Sequence, residues 1–334
     1  MLRAAARVYS GAMLIRLPQG VVCLAVLLAL AMPRVHAGWD GDPARLQLAS
    51  VQAAVADLAS GELLFAKHAD RVVPIASVTK LMTALVVLES GVPLDEWLEI
   101  VPRARPAPVN AYSRIRVGSQ LRRADLLRIT LMASENQAAY VLARHHPEGY
   151  DAFIAAMNAR AASLEMTRTR FVDSTGLSAE NRSTAADLLK LLTATLAQPL
   201  IREYTGTPGF TAEFRQPRYT LQYGNTNVLV HRDRWDVAVS KTGYLRVAGR
   251  CLAMVTQVDG RPVAMVFLDS LGTRTPIGDA GRVARWLRTG DGGAVAAAAR
   301  DYERQRQADY AREARLSEAS AACDVASGGE LSSC

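Results

Sequence analysis

The sequence predicts an α+β protein in which an antiparallel sheet, assembled from strands near both ends of the chain, flanks an inserted all-helical region. Three observations point there. Strand-like runs occur early, in VQAAVADLASGELLFAKH, and late, in WDVAVSKTG, RCLAMVTQVDG and RPVAMVFLDS. Helical periodicity fills the interval from about residue 123 to 197. Turn signals at Ser60-Gly61 and Asp259-Gly260 divide the early and late runs into hairpins. A functional cleft is expected where sheet and helical insertion meet.

Residues 1–37 stand apart. Arg3, Arg7 and Arg16 precede the apolar run VVCLAVLLALAM, and PRVHAGWD follows with Val35 and Ala37. This is the layout of a secretory signal cleaved near Ala37, with Met13 an alternative start. The run is short for a bilayer span, which argues against an uncleaved anchor.

The 334 residues are 50% hydrophobic and 21% charged, enough for one large domain or two small ones. Setting aside the four arginines of residues 1–37 leaves 35 basic against 32 acidic residues, a balance that argues against nucleic acid. After Cys23 leaves with the signal, three cysteines remain. Cys251 sits in a strand-like run and reads as buried, while Cys323 and Cys334 could pair in an oxidising compartment. The remaining histidines are scattered without ligand spacing, so no metal site is expected.

Along the chain, the early hairpin is followed by a long apolar helix from Ser77 to near Gly91. The Pro-rich stretch VPRARPAPVNAYSRIRVGSQL reads as an irregular connection. The helices ADLLRITLMASENQAAYVLARHH, YDAFIAAMNARAASLEM and TAADLLKLLTATLA come next, and strands resume from Tyr219. A helix, DAGRVARWLRTG, closes a domain spanning residues 38–290. Residues 291–334 are rich in Ala, Arg and Glu, with five basic and five acidic residues between Arg300 and Glu318. They read as a loosely helical or disordered solvated tail rather than an amphipathic anchor.

Three short motifs carry chemistry. In PIASVTKLMTALVVLES, Lys80 follows Ser77 by three residues, about one helical turn, and no acid lies within five residues of it. A lysine drawn into apolar surroundings loses hydration, and a neutral amine beside a hydroxyl makes an activated nucleophile. The plain alternative is a capped helix with a solvated lysine. In MASENQAAY, Ser134 and Asn136 fall between two helical patterns, as helix caps or as a hydroxyl and an amide aimed into a cleft. In SKTGY, a strand runs into Lys241, Thr242, Gly243 and Tyr244, where glycine permits the close approach of an extended peptide. Ser-x-x-Lys, Ser-x-Asn and Lys-Thr-Gly in this order form the set shared by serine beta-lactamases and penicillin-binding proteins.

From about Val51 to Leu287 the sequence resembles the low-molecular-mass penicillin-binding proteins, the serine D,D-peptidases of the beta-lactamase-like superfamily. Further stretches that carry the likeness are VGSQLRRADLL, MNARAASLEMTRTRFVDSTGLS, NRSTAADLLKLL and SKTGYLRVAGRCLAMV. The last, with Asn225–Asn227, is most similar to the D-alanyl-D-alanine endopeptidase branch, the penicillin-binding protein 7 type. The resemblance implies that Ser77 is acylated, Lys80 takes its proton and Ser134 relays a proton to the leaving amine. It implies that Asn136 orients the substrate, Lys241 keeps the field positive and Thr242 holds a substrate carboxylate. Backbone N–H groups of Ser77 and Tyr244 would form the oxyanion hole.

The implied partners are peptidoglycan peptide stems, with beta-lactams as covalent inhibitors and weak contacts to envelope or cell-wall-synthesis proteins. The implied location is the periplasm, compatible with peripheral membrane association. The alternative activities are D,D-carboxypeptidase, class A-like beta-lactamase, and a non-catalytic penicillin-binding wall protein. A lactamase would need a glutamate between the second and third motifs, where Glu165 and Glu180 fall.

Overall fold

The computed structural model describes residues 39, 41–104 and 112–326, with side chains to residue 316. The secretory signal, residues 1–37, and the Cys323–Cys334 pair lie outside that description.

Strands β1 (Gln52–Asp57) and β2 (Leu63–Lys67) form the early hairpin. The two-residue β3 (Val73–Pro74) leads into a 3-10 turn, Ala76–Thr79, and then α1 (Lys80–Glu89). Short strands β4 (Trp97–Glu99) and β5 (Gln120–Arg122) pair with each other at the ends of the Pro-rich connection. Helices α2 (Arg123–Met132), α3 (Asn136–Arg144) and α4 (Tyr150–Ser163) follow. After β6 (Arg182–Ser183), which pairs with β3, come α5 (Ala185–Leu196) and α6 (Pro199–Thr205). A hairpin of β7 (Gly209–Phe214) and β8 (Tyr219–Gly224) precedes the long strands β9 (Val237–Leu245), β10 (Gly249–Val258) and β11 (Arg261–Ser270). Helix α7 (Thr275–Thr289) and α8 (Ala297–Ala326) complete the described chain.

The main sheet has the order β2-β1-β11-β10-β9, and every neighbouring pair is antiparallel. The early strands therefore add to the late ones, as expected, because β1 pairs with β11 as well as with its hairpin neighbour. Both faces of this sheet are covered. Ala54, Ala56, Ala253, Val255, Ala264 and Val266 belong to the main core cluster with the helices. The opposite parity, including Ala53, Val55, Leu252, Met254, Met265 and Phe267, is buried too. That second face is the one α7 covers: Phe65, opposite Val55 in the register, meets the ring of Trp286. Strand β9 is left on an edge.

Helix α1 runs through the middle of the helical region. Eight of its ten residues, Lys80 to Val87, are buried, as a helix apolar all round requires. The β7–β8 hairpin begins at Gly209, ten residues before the expected return of strand pattern at Tyr219. Its first strand alternates only weakly, so its pairing is decided by β8 rather than by its own composition.

The segment beyond residue 290 is helical, but its first half is not the loose helix expected from composition. Tyr302 and Tyr310 each donate to the buried Asp269 carboxylate at 2.6 Å, and Arg306 Nε donates to it at 2.7 Å. Glu303 pairs with Lys67 at 2.8 Å, and the Arg71 guanidinium lies over the Tyr310 ring at 4.7 Å. The docking rests on spaced polar anchors, which an apolar-periodicity reading does not register.

Candidate active site

The apolar run after Lys80 buries α1 on every side, and Lys80 in its first turn is carried in with it, fully buried. Ser77 sits one turn earlier, on the 3-10 segment rather than within the α-helix expected from Ser77 onward. In a 3-10 turn residues i and i+3 eclipse, which aligns the Ser77 hydroxyl with the Lys80 side chain. Lys80 Nζ is 2.9 Å from Ser77 Oγ and 2.8 Å from Asn136 Oδ1, and it donates to the carbonyl of Thr175. The last two partners are acceptors, whereas the hydroxyl can play either role. A neutral amine has two N–H donors and one lone pair, which fits two acceptors and one O–H donor. Burial drives the Lys80 pKa down to about 7, against the opposing charges of Asp173 and Glu135 and with help from Arg103. No carboxylate touches Nζ among the described residues.

The backbone around Ser77 is compressed. Ala76 adopts φ +48°, a left-handed conformation that costs a non-glycine residue about 1–3 kcal/mol. Gly176 packs against it so closely that a Cβ there would fall 2.0 Å from the Ala76 carbonyl oxygen. On the other side, a Cβ on Gly243 would come within 3.1 Å of both Ser77 N and the Ile75 carbonyl oxygen. A side chain at position 243 would thus press strand β9 and the nucleophile turn apart by a few tenths of an ångström.

Ser134 occupies the break between α2 and α3 at φ +60°. Neither Ser134 nor Asn136 caps α3. Glu135 does so, its side chain accepting from Gln137 N at 2.9 Å. Ser134 and Asn136 both line the cleft, and Asn136 spends its Oδ1 on Lys80.

Lys241 is buried beneath the edge strand and donates to the Thr242 carbonyl at 2.9 Å. Its pKa lies well below that of an ordinary lysine, first from burial and then from the charge of Lys80. Thr242 Oγ1 donates to Thr226 Oγ1 at 2.6 Å, while Thr226 N donates to the Met132 carbonyl at 2.9 Å. This tie joins β9 to the end of α2, two residues before Ser134. Tyr244 is 44% exposed at the cleft rim, with the Arg250 guanidinium 3.8 Å above its ring.

The three motifs thus converge on one cleft of about 780 Å³, lined by Ser77, Ser134, Asn136, Thr242, Gly243 and Tyr244, with Lys80 and Lys241 buried behind its wall. Neither Glu165 nor Glu180 lines it; both are exposed elsewhere.

Sequence reasoning assigned no role to the loop Asp173–Ser178, although its residues were part of the family-like stretch. The Asp173 carboxylate accepts from Thr175 N, Thr175 Oγ1, Gly176 N and Ser178 N, at 2.6 to 2.8 Å. Buried Asn181 holds the loop from behind, accepting from Val172 N at 2.7 Å and donating to the Asp173 carbonyl at 2.9 Å. The result is a fixed Thr175 carbonyl aimed at Lys80. The available signal was the polar, glycine-containing run DSTGLS just outside a helix. Four cleft arginines, Arg232, Arg234, Arg250 and Arg274, were also missed.

Among the described residues no cluster of His, Cys, Asp or Glu could hold a metal ion, and no helix is long and apolar enough to cross a membrane. The arrangement can do nucleophilic chemistry: a hydroxyl against a dry amine, a second hydroxyl nearby, and an edge strand to which an extended chain can add.

Comparison with known proteins agrees with this geometry. The chain is 47% identical over 265 residues to a D-alanyl-D-alanine endopeptidase of Escherichia coli (strain K12), covering 79% of this chain and 86% of that protein. It is 47% identical over 266 residues to a D-alanyl-D-alanine endopeptidase of Pseudomonas aeruginosa, covering 80% and 86%. Among solved structures, the Streptomyces K15 DD-transpeptidase superposes with a TM-score of 0.66 at 26% identity, over 72% of this chain and 98% of that one. Penicillin-binding protein D2 of Listeria monocytogenes, in its cefotaxime-bound form, gives 0.63 at 29% identity, over 73% and 99%. The D-alanyl-D-alanine carboxypeptidase family, peptidase S11, matches residues 40–272, which contain the Ser77, Ser134 and Lys241 motifs, and the chain belongs to that family.

Proposed function

We propose that the chain is a periplasmic serine D,D-peptidase that hydrolyses D-alanyl cross-links of peptidoglycan through an acyl-enzyme on Ser77, with residues 1–37 removed as a signal. The observation that carries the mechanism is the set of partners around Lys80: two acceptors, one hydroxyl and, among the described residues, no carboxylate. Neutral Lys80 accepts the Ser77 Oγ proton as Oγ attacks the carbonyl carbon of the D-alanyl residue. The developing oxyanion is met by the backbone N–H groups of Ser77 and Tyr244. The C–N bond then breaks, and Ser134 passes a proton to the departing amine. Asn136 uses its Nδ2 on a substrate carbonyl while Oδ1 steadies Lys80. Thr242, held by Thr226, takes a substrate carboxylate in the field of Lys241. Water finally hydrolyses the ester on Ser77. Beta-lactams acylate the same hydroxyl and are released slowly.

Endopeptidase action is favoured by the two relatives of that name, which match over most of their length. Carboxypeptidase action on pentapeptide stems is the second reading, supported by the description of the matched family. The test is digestion of purified cross-linked dimeric muropeptides beside monomeric pentapeptides, with product masses read out. Cleavage of dimers to monomers is expected. Loss of terminal D-alanine alone would make the enzyme a carboxypeptidase. Failure of a fluorescent beta-lactam to label Ser77 would remove the whole reading.

A further inference from the structure

The cleft extends well past the nucleophile, and its charge is one-sided. Every charged side chain among its described lining residues is an arginine: Arg232, Arg234, Arg250 and Arg274. The acids of the same loop, Asp233 and Asp236, are exposed and do not line it. Arg232 and Arg234 make no side-chain hydrogen bond or ion pair among the described residues. Elsewhere on the surface, by contrast, Arg128, Arg160 and Arg288 are each matched to a carboxylate.

These arginines are carried on an anchored segment. Asn225 Nδ2 donates to the carbonyls of Thr205 and Thr207 at 2.8 and 2.9 Å, and Thr226 is fixed to Met132 as described. Asn227 caps the 3-10 turn Val228–His231, accepting from Leu229 N at 3.0 Å. Trp235 N then donates to the Arg232 carbonyl at 2.9 Å, closing the loop that presents both guanidinium groups. Arg250 is immobilised differently, by stacking on Tyr244, its cross-strand neighbour. Trp235 itself lines the cleft beside them, its indole N–H buried with no partner among the described residues. An anchored backbone lowers the freedom that Arg232 and Arg234 lose on binding a ligand, the stacked Arg250 loses less still, and guanidinium forks match carboxylates in both charge and shape.

We propose that Arg232, Arg234 and Arg250 form a subsite for free carboxylates on the branch of the substrate remote from the acylated residue, so that the enzyme selects a second peptide stem bearing several carboxylates over a lone terminal residue. The proposal rests on the D,D-peptidase reading above and assigns its substrate class. A cross-linked substrate brings two stems, each with side-chain or terminal carboxylates, and only one stem occupies the edge strand beside Ser77. The other must lie in the rest of the cleft, where the arginines are.

The test compares a cross-linked dimer with the same dimer whose free carboxylates, other than the one taken by Thr242, have been converted to amides, using the full-length enzyme. In the unsubstituted enzyme, amidation is expected to raise KM about tenfold, with a smaller effect on kcat. In the Arg232→Gln, Arg234→Gln double variant the two substrates should approach equal KM. A ratio within one variant is insensitive to how much of that variant is folded. Equal KM for both dimers in the unsubstituted enzyme would overturn the subsite. So would an amidation effect that survives undiminished in the double variant. If the enzyme is labelled by a fluorescent beta-lactam and cleaves both dimers equally, the subsite alone fails. If it is not labelled and cleaves neither, the peptidase reading fails.

Discussion

Lys80 and Asp269 are both buried ionisable groups, yet their surroundings are opposite. Asp269 is matched: Arg306 supplies a charge, and Tyr302 and Tyr310 supply two short hydrogen bonds. Lys80 is unmatched: its contacts are neutral oxygens, and the nearest opposing charges, Asp173 and Glu135, act through space. The contrast separates what each cluster is for. A buried charge that is neutralised and hydrogen-bonded locks elements together, here α8 onto the end of β11. A buried amine denied a counter-ion gives up its proton and becomes a base at neutral pH. On the scale of one unit per 1.36 kcal/mol, lowering Lys80 to about 7 costs folding on the order of 4 kcal/mol at neutral pH.

The sharpest way to break this contrast is to remove each centre. Lys80→Ala is expected to slow acylation by benzylpenicillin by about 10³-fold, within the range for a lost general base, while the protein stays folded by circular dichroism. Ser77→Ala should abolish labelling altogether. Asp269→Ala should do the reverse. It strands Arg306 and two phenols, with an expected loss of about 3–5 kcal/mol in denaturant unfolding and near-normal acylation of the fraction still folded. If Asp269→Ala silenced the chemistry at full stability, the division between the two clusters would be wrong.

The pH dependence separates them next. Lys80 and Lys241 are both held below the ordinary lysine value, so from about pH 7 to pH 10 the unfolded chain binds more protons than the folded one. Stability should therefore rise with pH across that window, and the acylation rate should rise through about pH 7. The phenols of Tyr302 and Tyr310 are raised by burial and by Asp269. They stay protonated in the folded state where the unfolded chain loses the protons, so their contribution falls as pH climbs above about 10. Chemical unfolding from pH 6 to pH 11 should pass through a maximum near that boundary. A flat profile would remove the case for unmatched lysines.

Smaller effects probe the positioning around Lys80. Gly243→Ala places a methyl 3.1 Å from Ser77 N and should cost about tenfold in acylation rate, since small misplacements of reacting groups are expensive. Thr226→Val deletes the partner of Thr242 and should raise KM a few-fold with little change in kcat.

The sheet was legible because its strands are long and apolar and because Asp259-Gly260 marks a hairpin, which the structure forms with both residues at positive φ. The Ser77, Ser134 and Lys241 motifs were legible because each couples an unusual residue to a recognisable element. The β7–β8 hairpin, the Asp173 loop, the arginine wall and the docking of α8 were not. The last two depend on partners distant in sequence, while the β7–β8 hairpin and the Asp173 loop close on near neighbours with only weak local patterning, and polar anchors such as Tyr302, Arg306 and Tyr310 look like ordinary solvated residues until Asp269 is placed beneath them.

The order of amino acids alone settled the inventory: an apolar helix that must be buried, a lysine that must go in with it, and a glycine-ended strand long enough to pair. How those pieces are charged and aimed was left to contacts between distant segments. Whether Lys80 would meet a carboxylate or a carbonyl turns on contacts across 56 residues and more, to Asn136 and Thr175. Local patterning sets which faces leave water, but the dielectric and the hydrogen-bond partners of a buried group exist only once remote parts of the chain have closed around it.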